Sequence, residues 1–123
     1  MASIQPELWV DGAATAVEFY AAAFGARVLH RVGEGEDVVA QLDAGGAVFW
    51  VVQADAGRRR LSPPAAGGTT GRVLLVVDDP EAVHARAVAA GATATSAVAP
   101  EHGWLVGRIV DPFGHEWEIG RPG

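Results

Sequence analysis

The chain has 123 residues, half of them apolar and a fifth charged, with a formal net charge of −6 and no cysteine. This is one domain's length and an ordinary globular composition, able to bury roughly two-thirds of the unfolded surface, and it excludes disordered and membrane-embedded classes. The absence of cysteine removes a disulfide framework, a thiolate zinc site and a cysteine nucleophile, while the acidic balance argues against nucleic acid as a partner.

The longest apolar runs, Ala47 to Val52 and Val73 to Val77, fall far below the roughly 20 residues that a membrane span requires. The N-terminus lacks a basic-then-apolar signal pattern, so the expected location is the cytoplasm, with no membrane partner.

Taken in order, the apolar strand Leu8 to Asp11 comes first, followed by a helix through Ala16 to Ala26 with Val17, Tyr20, Ala21 and Phe24 at helical spacing. Three β-type runs follow: Arg27 to Val32, Val38 to Leu42 and Ala47 to Gln53. Ala54 to Gly71 is rich in Gly, Pro, Ala and Arg and reads as a connecting loop, with Ser62-Pro63-Pro64 disfavouring any helix. The order then repeats. Strand Leu75 to Asp78 leads into a helix that Asp79 caps, Pro80 opens and Gly91 closes, with Val83, Ala87 and Ala90 on one face. His84 falls on the opposite face and is expected in solvent. Runs Thr93 to Val98, Leu105 to Val110 and Glu116 to Ile119 complete the second set.

The two halves also match residue for residue. Ala16 to Ala26 laid over Ala82 to Ala92 makes the Ala-Val start, two inner alanines and the Gly-Ala exit coincide. The reading is a single α+β domain of two tandem βαβββ modules, about 1–54 and 72–123, joined by a linker of about 55–71.

These paired modules, the Val-Asp before each helix, Phe19-Tyr20 and the closing Asp111-Pro112-Phe113-Gly114-His115-Glu116-Trp117-Glu118-Ile119 resemble the vicinal oxygen chelate superfamily. Glu101-His102-Gly103-Trp104 looks like its bacterial glyoxalase-like branch. The resemblance spans nearly the whole chain and implies a mixed sheet cupped around a cavity, the glyoxalase/bleomycin-resistance fold, usually as a homodimer. It does not choose among lyases, isomerases, dioxygenases and antibiotic binders.

Metal-dependent members of that superfamily place ligands on the first and last strands of each module. Here Glu118 matches the last-strand ligand, and Gln5 stands at the first-strand position with Glu7 two residues on. Arg72 falls where a His is expected, and a guanidinium cannot coordinate a cation. Laying Gly46 over Gly114 puts Trp50 opposite Glu118, an indole in place of a carboxylate. A divalent ion needs several oxygen or nitrogen donors, so the resemblance implies a dismantled metal site, with Gln5 and Glu118 as its remnants.

Four tryptophans are present. Strand parity directs Trp117 to the core, opposite Glu118, whereas Trp9, Trp50 and Trp104 are candidates to line the cavity. With Glu7, Arg72 and Glu118 they form the expected ligand-binding set, in which indole faces and carboxylates attract flat or cationic molecules. Two functions follow. One is metal-independent sequestration of a flat or cationic antibiotic or toxin; the other is a divalent-metal-dependent glyoxalase-like lyase or isomerase with Glu118 as its base. A cavity reduced to a structural dimer is a third reading.

Overall fold

A computed structural model describes all 123 residues, apart from the side chain of Glu36. Strand β1 (Glu7–Val10), helix α1 (Ala13–Phe24), β2 (Arg27–Val32), β3 (Val39–Ala44) and β4 (Ala47–Gln53) form the first module. After helix α2 (Pro63–Ala66) come β5 (Val73–Val76), α3 (Pro80–Ala90), β6 (Thr93–Glu101), β7 (Trp104–Val110) and β8 (Glu116–Pro122). Each module closes one four-stranded mixed sheet, ordered β1-β4-β3-β2 and β5-β8-β7-β6, with its first and last strands parallel.

The registers of the two sheets correspond. Glu7 pairs with Trp50 in one, Leu74 with Glu118 in the other, and Leu8 with Val51 as Leu75 with Ile119. Glu7 and Leu74 thus occupy equivalent places, as do Trp50 and Glu118, whereas Gln5 and Arg72 lie just ahead of the paired segments.

Alternation along the strands buries one face of each sheet. Leu8, Val10, Phe49 and Val51 from the first, with Leu75, Ile109, Trp117 and Ile119 from the second, enter one hydrophobic core together with α1 and α3. Trp117 is 1 % exposed and is met by Phe24 at 4.9 Å, Phe49 at 5.5 Å and Tyr20 at 5.7 Å between ring centroids, so the indole from module two is enclosed by aromatics of module one.

The helices need particular supports. Gly12 offers α1 no side-chain cap; Gln53 Oε1 from the end of β4 instead accepts the Gly12 and Ala13 N–H groups at 3.2 and 2.9 Å. At the other end Arg86 of α3 donates to the carbonyls of Ala22 and Ala21, tying the two helices together. On α1 the buried stripe includes Ala16, Phe19 and Ala23 as well as Val17 and Tyr20, and Ala21 is exposed. Val17 and Tyr20 are buried and Phe24 packs against the core as expected, and the buried face is broadened by Ala16, Phe19 and Ala23 where α1 contacts α3 as well as its own sheet.

Two further expectations are corrected. The linker contains the short helix α2, because Pro63 and Pro64 occupy its first turn, where no N–H is required, and Ser62 Oγ accepts from Ala65 N. His84 is half-buried, not solvated: its Nε2 lies 3.0 Å from Ser96 O and 3.3 Å from Arg108 O, so an Nε2–H tautomer donates to both carbonyls. Gly107 makes room for it, since a Cβ there would come within 2.9 Å of His84 Cδ2.

Strand β2 is exposed along its whole length, with Arg27, His30 and Arg31 interspersed among Val28, Leu29 and Val32. No described helix is long and apolar enough to cross a membrane.

Candidate functional site

Residues of β1, of β5 and just ahead of β5 line a common cleft of about 380 Å³, whose walls include Glu7, Trp9, Arg72, His115, Glu116 and the glycine-rich linker. The linker is fastened across it: Ser62 Oγ donates to Asp11 Oδ2 at 2.7 Å, and Thr69 Oγ1 donates to Glu116 Oε2 at 2.6 Å. His115 Nε2 donates to Trp9 O at 2.8 Å, satisfying a carbonyl on the unpaired edge of β1.

Arg72 links this cleft to a smaller hollow. Its guanidinium lies 3.7 Å from Glu118 Oε2, and Glu118 lines a hollow of about 220 Å³ with Leu74, Glu101, Trp104, Val106 and Arg108. Here Arg108 is the organising residue. Its Nε donates to Glu118 Oε2 at 3.0 Å, while Nη1 and Nη2 hold Glu101 in a two-pronged grip at 2.9 and 2.7 Å. The hydrogen bonds from Arg108 lower the Glu101 carboxyl below the usual carboxylate range. The same contacts, Glu101 first and Glu118 after it, raise the guanidinium above its ordinary value, although desolvation opposes them.

On the first sheet, Trp50 Nε1 donates to Gln5 Oε1 at 2.8 Å, and Gln41 Nε2 donates to the same oxygen at 3.1 Å. His30 faces the Trp50 ring at 6.3 Å. Trp9 Nε1 donates to Glu7 Oε1 at 3.0 Å, which fixes its ring at the cleft. Gln5 itself lies two residues ahead of β1 and not within it.

The structure thus brings Glu7, Trp9 and Arg72 to one cleft, and Trp104 and Glu118 to the adjoining hollow. Trp50 stays with Gln5 and Gln41, and among the described residues no hydrogen bond or ion pair joins that group to Glu118. Sequence reading missed Arg108, Glu101 and Gln41. The signal for Arg108 was its place in a predicted strand, directly opposite Glu118 once β7 and β8 are in register.

The remnants of a metal site do not fit a divalent ion. Gln5 Oε1 is already accepting two hydrogen bonds, and Glu118 Oε2 has Arg108 and Arg72 where a cation would bind. Among the described residues, no three His, Cys, Asp or Glu side chains are grouped to hold a metal.

A family model described as a glyoxalase-like domain matches residues 7–120. The chain belongs to this glyoxalase-like family. Another similar protein is the uncharacterized Rv0887c of Mycobacterium tuberculosis (strain ATCC 25618 / H37Rv), 38% identical over 128 residues, which cover 98% of this chain and 74% of the relative. Among solved structures, TioX from Micromonospora sp. ML1 is 28% identical, covers 100% of both chains and superposes with a TM-score of 0.77. TnmS3, an antibiotic binding protein from Streptomyces sp. CB03234, shares the fold with a TM-score of 0.75, 21% identity and coverage of 100% of this chain and 98% of its own. The matched residues 7–120 run from the start of β1 into β8 and so take in both four-stranded sheets.

Proposed function

We propose that this glyoxalase-like protein is a metal-independent binder of flat, aromatic small molecules, acting as one two-module domain in a cytoplasmic homodimer and sequestering an antibiotic or toxin. The observation that carries the reading is the fate of the four ligand-equivalent positions: an indole at Trp50, a guanidinium at Arg72, and Gln5 and Glu118 each bound to other side chains. Trp9 and Trp104 supply half-exposed ring faces at the two ends of the site. Glu7 beside Trp9 suits a cationic aromatic at that end, whereas the charge of Glu118 is offset by Arg72 and Arg108. TnmS3 supports the reading at the level of fold, since the same architecture serves an antibiotic binding protein.

The test is elemental analysis of the purified protein with titrations of Ni, Zn, Mn, Fe and Mg, repeated on Glu118→Ala, and a tryptophan-quenching screen against flat aromatic compounds. The expected result is no stoichiometric metal and saturable quenching without consumption of the compound. Stoichiometric, Glu118-dependent metal with chelator-sensitive turnover would replace this reading with the lyase or isomerase.

A further inference from the structure

We infer that Arg108 is an anion-recognition residue, and that Glu101 occupies in the free protein the place taken by a carboxylate group of the ligand. The inference rests on the reading of the site as a binder of flat molecules and adds the chemistry of one end of that ligand.

The geometry is that of a built recognition fork. Arg108 is on the central part of β7, and its Nε is fixed by Glu118 on the neighbouring strand β8. This leaves the planar Nη1/Nη2 edge directed to the hollow, the edge that matches two oxygens of a carboxylate. The group found on it, Glu101, comes from the last position of β6, beside the tight His102-Gly103 turn, where both turn residues have positive φ. Its side chain is 40% exposed, against 22% for Arg108.

An exposed carboxylate at a hairpin end can rotate into water without moving the backbone, whereas Arg108 remains held by Glu118. The fork would then be open beside Trp104, Leu74 and Val106, an indole and two aliphatic side chains that can flank a flat ring. Charge supports an anion: with Glu101 turned away, Arg72 and Arg108 face Glu118 alone, leaving one positive charge in excess. The ligand class is therefore a planar aromatic carboxylate, with the carboxylate on Arg108 and the ring against Trp104.

Two matched probes, 2-naphthoate and the uncharged 2-naphthamide, are titrated into wild-type protein, Glu101→Gln, Arg108→Lys and Trp104→Phe, with both calorimetry and tryptophan quenching. Glu101→Gln is expected to tighten naphthoate by about fivefold and leave naphthamide unchanged, since removing an exposed competitor of this kind has a modest effect. Arg108→Lys keeps the charge and loses the fork, so naphthoate should fall to the level of naphthamide. Trp104→Phe should remove most of the quenching. Equal affinity for the two probes in every variant would overturn the inference and leave the flat-ligand reading standing. Failure of both probes to bind any variant would overturn the two together.

Discussion

The hydroxyl of Tyr20 donates a 2.5 Å hydrogen bond to Oδ2 of Asp111, across 91 positions of sequence. The same oxygen accepts from Trp117 Nε1 at 2.9 Å, while Oδ1 accepts the N–H groups of Phe113 and His115. One buried carboxylate thus fixes the turn before β8, the core indole and the helix of the other module. Asp111→Ala would leave four donors without their acceptor, and a loss above about 4 kcal/mol is expected from the cost of roughly 1–3 kcal/mol per buried unsatisfied group. Tyr20→Phe removes one of these bonds and should cost about 1.5–3 kcal/mol, because the acceptor is charged. Urea unfolding of both variants measures the difference; a neutral Asp111→Ala would contradict this description of the junction.

Tyr20 is the chain's single tyrosine, so tyrosinate absorbance reports it alone. Burial first, then the negative Asp111 beside it, pushes its hydroxyl well above the usual tyrosine range. In the unfolded chain it ionises near pH 10. The folded state holds the proton more tightly, so the contribution to stability is complete below about pH 10 and declines as the pH rises toward the folded value. No tyrosinate signal should develop just above pH 10 while the protein stays folded; it should appear together with loss of tertiary structure. A smooth titration centred near 10 in folded protein would show that Tyr20 is not enclosed.

Gly107 and His84 should behave as a coupled pair. A Cβ at position 107 meets Val98 Cγ2 at 2.7 Å and His84 Cδ2 at 2.9 Å, so Gly107→Ala overpacks the space between α3 and the sheet, at about 1–3 kcal/mol. Adding His84→Ala frees part of that space, and the double variant should be more stable than the sum of the two losses predicts. Strict additivity would mean that Val98 alone sets the limit.

Ser62, fully buried, donates to Asp11 and caps α2, and both contacts hold the linker at the mouth of the cleft. Ser62→Ala should cost about 1 kcal/mol of stability, a typical value for a lost cap. It should also increase proteolysis between 63 and 71 without affecting the two sheets. Unchanged cleavage rates would place the control of the linker at Thr69 and Glu116 instead.

The internal repeat makes much of this architecture readable in the sequence alone. Strand parity placed Trp117 in the core, and the module alignment matched Trp50 with Glu118, as the paired registers also do. What could not be read were contacts that depend on register across several strands. Glu101 reaches Arg108 only because β6 runs on past Val98, with irregularities between Ala94 and Ser96 and between Ser96 and Ala99. Each such irregularity changes which side chains share a face, and alternation alone cannot locate it. His84 was misplaced for a related reason: a glycine in the facing strand β7 lets the ring reach two carbonyls from a helix position that the apolar spacing assigned to solvent. The role of Gln53 as a surrogate cap was equally hidden, since it comes from 40 positions beyond the helix start it serves.

Strand β2, exposed on both faces and paired only with β3, is the kind of edge that invites a neighbouring chain to add itself to the sheet. Arg27 of this strand is ion-paired with Asp43 on β3 at 3.2 Å, and Arg31 is a further charge that an incoming copy would have to accommodate. A short, charged edge of this kind disfavours uncontrolled pairing between copies, and it does so from a strand that contributes little to the core.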